Sequence, residues 1–245
     1  MDGFECRMRV QFTDVDIHNR LTMKGMLRLM QEAANLHSDQ VGYGLNNIEE
    51  TDFSWVLYEQ RCRLYRRPRW NTQLSIRTWS RGANGVICLR DFEVFDEEGE
   101  PVAIGATGWL LVSASSQKMA HVPEDMLAKY GMEERSVFGE PLKRLRAPAA
   151  GERLWDYTVQ RRDIDINRHA NNLCYLDYAL EALPEEAAKQ DFDEVEIMYK
   201  KASYAGDRIA CFGGWEAPAS SFTIAVKDDT GGLLHAVIRL TSLQR

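Results

Sequence analysis

The sequence predicts an α+β protein of two tandem domains built alike, each an antiparallel sheet wrapped around one long helix. Three observations predict it. A block of the chain recurs in order, each copy runs from a turn into a helix and then strands, and a proline-bearing stretch without periodicity separates the copies.

The recurrence spans the chain. Asp14-Val15-Asp16-Ile17 returns as Asp163-Ile164-Asp165-Ile166 at an offset of 149 residues, and Met26-Leu27 falls on Tyr175-Leu176 at the same offset. Leu64-Tyr65-Arg66-Arg67 lies over Met198-Tyr199-Lys200-Lys201 at offset 134, and Asp96-Glu97-Glu98-Gly99 over Asp228-Asp229-Thr230-Gly231 at offset 132. Shorter loops in the second copy shrink the offset in this way. A period so long means duplicated domains, since solenoid repeats are shorter.

Within copy one, Met23, Met26, Leu27, Met30, Ala33 and Ala34 recur at spacings of three and four, so a helix is expected over about 22–37. Thr22 is its expected N-cap, because the hydroxyl can accept a free amide of the first turn. Copy two keeps the stripe with Tyr175, Leu176, Ala179, Leu180 and Leu183 over about 171–183, and Pro184 stops it. Few charges lie on either helix, so each is expected to be covered over much of its circumference. Strand composition follows each helix. Copy one offers Trp55–Tyr58, Gln73–Trp79, Val86–Phe95, a hairpin turn at Asp96–Gly99 and Val102–Val112. Copy two offers Val195–Tyr199, Arg208–Trp215, Phe222–Val226, a turn at Asp228–Gly232 and Leu234–Leu240. The expected domains are 1–120 and 153–245, joined by a linker over 121–152 in which Glu124–Tyr130 forms a short helix.

Composition narrows the function. The 245 residues are 44% hydrophobic, enough for packed cores and long for one domain of ordinary size. Lys and Arg number 30 against 37 Asp and Glu, a formal charge of −7, which argues against a general nucleic-acid binder. The start MDGFECRMRV has no apolar signal core, and no later stretch resembles a membrane span. Five scattered cysteines without a C-x-x-C pair read as reduced thiols of a cytosolic protein. No H-E-x-x-H, G-x-S-x-G or Gly-rich phosphate loop is present, so neither metal nor cofactor is expected.

The polar segment Asp165-Ile166-Asn167-Arg168-His169-Ala170-Asn171-Asn172, followed by Tyr175, carries the chemistry. It resembles the Asp-x-Asn-x-His-x-Asn-Asn-x-x-Tyr signature of the acyl-ACP thioesterases, tandem hot-dog enzymes that release fatty acids from acyl carrier protein. The resemblance implies a hot-dog fold twice over, a catalytic second domain and a first domain that supplies the acyl-chain cavity. Copy one agrees with that asymmetry, because His18 and Arg20 stand where copy two has Asn167 and His169. One departure matters: the family's glutamate after the Tyr-basic-basic stretch is Ala202 here, followed by Ser203.

Thioester hydrolysis needs an activated water, a donor for the developing oxyanion and a channel for an apolar chain. His169 is the expected base, Asp165 its orienting or acting carboxylate, and Asn167 the amide that holds water. Backbone amides at the helix start, near Asn171 and Asn172, are the expected oxyanion donors. With Ala202 at the glutamate position, either Asp165 acts alone, Glu181 or Glu196 substitutes, or the enzyme is slow. Asp14 and Asp16 occupy the same turn in copy one without proposed chemistry, so a purely structural task for Asp163 and Asp165 stays open. Basic residues Arg66, Arg67, Lys200 and Lys201 are candidates for docking an acidic carrier protein, the alternative being solvated edge charges. The expected activity is hydrolysis of medium- to long-chain acyl-ACP by a monomer or a homodimer. The rival enzyme, a hot-dog enoyl or hydroxyacyl thioester hydratase, usually has Pro after the Asn and His three positions on, unlike Asn167-Arg168-His169 here. A non-catalytic acyl-ACP-binding protein is the rival from another class.

Overall fold

The computed structural model describes residues 3–148, 151–216 and 220–243. Residues 149 and 150, within the stretch expected as a linker, lie outside the described residues. The chain divides into two compact units, Met1–Leu142 and Lys143–Arg245.

In the first unit, strand β1 (Phe4–Arg9) leads to helix α1 (Met23–Gln40) and the short α2 (Ile48–Thr51). Strands β2 (Phe53–Leu64), β3 (Gln73–Asn84), β4 (Ile87–Phe95) and β5 (Pro101–Ser113) follow, then α3 (Glu124–Lys129). The strands pair antiparallel in the order β1-β3-β4-β5-β2. The second unit runs β6 (Glu152–Thr158), α4 (Asn172–Glu181), α5 (Glu185–Ala188), β7 (Glu194–Tyr199), β8 (Arg208–Glu216), β9 (Ser221–Asp228) and β10 (Leu234–Thr241). Its strands pair in the order β6-β8-β9-β10-β7. Position for position this is the first unit's order, so the sequence repeat is also a repeat of topology. Each unit is the hot-dog arrangement, a curved antiparallel sheet around a helix.

Helix α1 forms where its apolar stripe lies and is capped as expected: Thr22 Oγ1 accepts the Gly25 N–H at 3.0 Å. Met23, Met26, Leu27, Leu29, Met30, Ala33 and Ala34 are all buried, a face wider than the sequence stripe. Each such large side chain contributes about 1.5–3 kcal/mol on burial. Close approach of the helix to β5 requires Gly105, where a Cβ would stand 2.6 Å from Met30 Sδ.

Strand β2 runs to Leu64, well past the expected Tyr58, because Cys62 and Leu64 alternate inward while Arg61 and Arg63 face Phe138. Residues 121–142 pack within the first unit: Met126 and Tyr130 are buried with Leu111, and Tyr130 Oη donates to Ser38 Oγ at 3.0 Å.

Helix α4 is shorter than expected, ending at Glu181, and its buried face differs. Leu180 is exposed, whereas Tyr178 is buried against the rings of Tyr157 and Tyr175. Three aromatic rings turn that face by one position relative to the aliphatic stripe. Among the described residues no helix is long and apolar enough to cross a membrane.

Candidate active site

The second unit's Asp-x-Asp turn is shaped by its own backbone. Ile164 and Ala170 form a bridge, and residues 165–169 make the loop between them. Asp165 N–H donates to His169 O at 3.1 Å and Arg168 N–H to Asp165 O at 2.9 Å. Arg168 takes φ +65°, the left-handed conformation that closes so tight a loop. The Asp165 carboxylate completes it: Oδ1 accepts Asn167 N–H at 2.8 Å and Oδ2 accepts the Asn171 side-chain amide at 3.3 Å. Copy one is built the same way, with Asp16 N–H on Arg20 O at 2.9 Å and Asn19 at φ +56°. Asp163 and Asp14 are buried beneath these loops. Asp163 accepts from Gln160 N–H and Tyr157 Oη, whereas Asp14 accepts from Gln11 N–H and the Arg28 guanidinium.

His169 is half-buried, with Nδ1 3.3 Å from Ala170 O. A carbonyl can only accept, so that contact places the ring proton on Nδ1 and leaves the lone pair on Nε2. Nε2 has no hydrogen-bond partner among the described residues. Asn167 is exposed in the same loop, its side-chain amide likewise unpartnered among the described residues.

The helix start sorts its amides. Asn171 is the N-cap, its Oδ1 accepting Leu173 N–H at 2.9 Å. Asn171 N–H donates to Asp163 O and Cys174 N–H to Asn171 O. That leaves Asn172 N–H as the first-turn amide without an acceptor among the described residues, at the positive end of the helix dipole.

A second network ties this loop to the segment after β7. Ala170 N–H donates to Ser203 O at 2.8 Å, and Ser203 N–H donates to Tyr175 Oη at 3.0 Å. Tyr175 Oη and Ser203 Oγ are hydrogen-bonded at 2.8 Å. Burial raises the Tyr175 pKa, so its phenol stays neutral and can both donate and accept. Ala202, at the position where the resemblance puts glutamate, is the residue just before Ser203 and carries no carboxylate.

The substitute carboxylates lie elsewhere. Glu181 is exposed at the far end of α4, nine residues or about 13 Å from Asn172. Glu196 is three residues from Tyr199, whose ring meets Tyr175 of α4, so its side chain leaves β7 on the face away from the helix. There it pairs with Arg239 at 3.0 Å. Of the basic candidates, Arg66 pairs with Asp96 at 3.1 Å and Glu100 at 3.5 Å, and Arg67 donates to Leu21 O at 3.1 Å. Lys200 and Lys201 are exposed.

Two features lie outside the motif, one with a signal in the sequence and one without. Arg90 falls in an inward alternation with Cys88, Phe92 and Val94, and it is buried beside His37. The Tyr175–Ser203 contact joins residues 28 apart and had no local signal.

Two family models match: the acyl-ACP thioesterase N-terminal domain over residues 2–130 and the C-terminal domain over residues 147–239. The oleoyl-acyl carrier protein thioesterase of Coriandrum sativum is 24% identical over 219 residues, covering 82% of this chain and 59% of its own. Oleoyl-acyl carrier protein thioesterase 2 of Arabidopsis thaliana is 25% identical over 240 residues, covering 89% and 65%. The chain thus spans about three fifths of the length of these chloroplastic relatives. Two solved structures share the fold. That of an acyl-ACP thioesterase from Bacteroides thetaiotaomicron VPI-5482 superposes with a TM-score of 0.86 at 23% identity, covering 97% of this chain and 96% of that one. That of the 12:0-ACP thioesterase from Umbellularia californica superposes at 0.80 and 19% identity, with the same coverage. Matches that run through both units, over most of the sequence, place the chain in one family: it belongs to the acyl-ACP thioesterases.

Proposed function

We propose that this protein hydrolyses the thioester of a medium- to long-chain acyl group carried on acyl carrier protein, with the chemistry in the second unit. Family membership through both units carries the reaction class. The histidine whose Nδ1 is committed to a carbonyl carries the mechanism.

The thioester carbonyl accepts from Asn172 N–H, where the helix dipole favours the charge that develops on oxygen. Water sits between the Asn167 amide and His169 Nε2. Nε2 takes a proton as the water oxygen bonds to the carbonyl carbon, and the tetrahedral intermediate collapses by breaking the carbon–sulfur bond. The proton on His169 then passes to the departing thiolate, so fatty acid and carrier thiol leave and the imidazole is restored. Both Asp165 oxygens are engaged by Asn167 N–H and the Asn171 amide, so Asp165 positions the loop that presents these groups. The first unit, with His18 and Arg20 in place of the Asn–His pair, is assigned the acyl-chain cavity. The exposed lysines Lys200 and Lys201, beside the segment bearing Ser203, are assigned to the acidic carrier.

The test is release of free fatty acid from acyl carrier substrates of medium to long chain, with carrier thiol counted in parallel. Equal amounts of acid and thiol are expected. Carrier-bound acyl product altered by addition of water indicates a hydratase instead. Stable binding of acyl carrier with no release at any chain length indicates an acyl-binding protein.

A further inference from the structure

In the first unit two loops, residues 10–22 after β1 and 65–72 after β2, are stitched together by their backbones. Val10 N–H donates to Thr72 O at 3.0 Å, Asn71 N–H to Val10 O at 2.9 Å and Leu21 N–H to Pro68 O at 2.8 Å. Trp70 N–H donates to Asn19 Oδ1 at 3.0 Å. Three large apolar side chains leave these loops for solvent: Phe12 is 78% exposed, Ile17 95% and Trp70 54%. Single exposed apolar residues are ordinary, but three on two joined loops mark a surface that meets something.

The second unit shows that the fold does not require them. The same stitches recur there as Val159 N–H on Asp207 O, Gly206 N–H on Val159 O and Ala170 N–H on Ser203 O. That correspondence puts Arg161 in the place of Phe12 and Ala205 in the place of Trp70. Ile17 alone returns, as Ile166. The aromatic pair is therefore a property of the first unit.

The loops are also basic, in a chain of net charge −7. Residues 9–20 and 65–72 hold five arginines against two aspartates, a net of +3. Asp14 is buried on Arg28, Asp16 pairs with Arg20, and Arg66 pairs with Asp96. Arg9 and Arg69 stay exposed, with no carboxylate in ion-pairing distance among the described residues. Arg9 Nη1 donates to Asn71 O at 3.0 Å, which fixes this charge on the residue next to Trp70. Glu97 also reaches this end, accepting Gln73 N–H at 3.1 Å, so the apolar tips and not charge alone carry the affinity.

We infer that this end of the first unit docks on an anionic lipid bilayer, with Phe12, Ile17 and Trp70 in the interface and Arg9 and Arg69 at the level of the lipid phosphates. Aromatic rings favour the headgroup boundary, and arginines near an anionic surface add to the attraction. Side chains that project from loop tips suit a fluid layer that closes around them. A stable contact between two proteins needs a face burying roughly 1,200–2,000 Å², which three side chains on two loops do not supply. The inference stands apart from the proposed hydrolase activity.

The test is flotation of the full chain with vesicles of phosphatidylcholine alone and of phosphatidylcholine mixed with an equal part of phosphatidylglycerol. Binding to the mixed vesicles is expected, at least tenfold tighter than to phosphatidylcholine alone. The double variant Phe12→Ser, Trp70→Ser, checked for native circular dichroism, is expected to bind the mixed vesicles at least tenfold more weakly than the parent. Ile17→Ser, which changes a side chain almost wholly in solvent, is expected to lose at least threefold. No binding of the parent to either vesicle overturns the inference without recourse to any variant. Equal binding of the parent to both vesicles, or binding that survives in the variants, overturns it too. A parent that self-associates in sedimentation and turns monomeric in the double variant would assign the patch to a second copy of the chain, against the inference.

Discussion

Removing a single oxygen, by Tyr175→Phe, tests the network that supports the proposed active-site loop. The Tyr175 hydroxyl accepts the Ser203 N–H and pairs with Ser203 Oγ, and Ser203 is fully buried. Phenylalanine fills the same space but orphans that amide, a cost of about 1–3 kcal/mol, and breaks the hydroxyl pair for about 1 kcal/mol more. The expected loss is thus about 2–4 kcal/mol. Ser203→Ala deletes only the hydroxyl pair and leaves the N–H bonded, so about 1 kcal/mol is expected. Ser203 O holds Ala170 N–H, and Ala170 O orients His169, so kcat is expected to fall about tenfold in Tyr175→Phe while KM moves little. Urea unfolding followed by circular dichroism reads the first quantity, and fatty-acid release below the unfolding range reads the second. A Tyr175→Phe protein within about 0.5 kcal/mol of the parent would refute the reasoning, because a buried orphan amide would then have cost nothing.

Three further predictions concern other parts of the molecule. Alanine normally stabilises a helix interior by up to about 1 kcal/mol over glycine. At Gly25, however, the added Cβ would stand 2.7 Å from Asp14 O, so Gly25→Ala is expected to lower the urea midpoint; a rise contradicts the packing. His37 titrates near 3 when folded, against 6.5 when free, so protons favour the unfolded chain and stability falls as the pH drops below 6.5. Between pH 7 and pH 5 its share of the loss is about 2 kcal/mol, and His37→Asn should remove that share; parallel stability–pH curves would contradict it. Lys201→Glu is expected to raise KM for acyl carrier substrate and flatten its salt dependence. Arg66→Glu should change both less, since Asp96 and Glu100 already pair with Arg66; the reverse ranking moves the docking surface.

Much of the fold was legible because its signals are local or periodic. Thr22 announces the start of α1 by a capping hydroxyl, and the Asp96–Gly99 turn sits between two strand-like runs. The duplication then carried each element of one unit to the other. Aromatic packing was less legible, as Tyr178 shows by displacing Leu180 from the buried face of α4. At the candidate site, the motif marked a short run of polar residues without dividing the work among them. Which first-turn amide stays free depends on Asn171 capping Leu173 and on Asp163 O taking the Asn171 N–H. Which histidine nitrogen is free depends on Ala170 O. Both follow from three-dimensional closure of the loop. Glu196, by contrast, was excludable by strand parity alone, since it and Tyr199 leave β7 on opposite faces.

Fatty-acid release by the parent and by His169→Ala, measured side by side on one acyl carrier substrate, tests the proposed base most directly. The imidazole Nε2 is the one positioned base assigned to the water, so kcat is expected to fall at least roughly hundredfold, as removal of a general base does. The variant should retain substrate binding and the parent's unfolding free energy within about 0.5 kcal/mol, because among the described residues the His169 ring makes one long hydrogen-bond contact, with Ala170 O. Undiminished release by a folded His169→Ala protein would contradict the mechanism and move proton abstraction to another group.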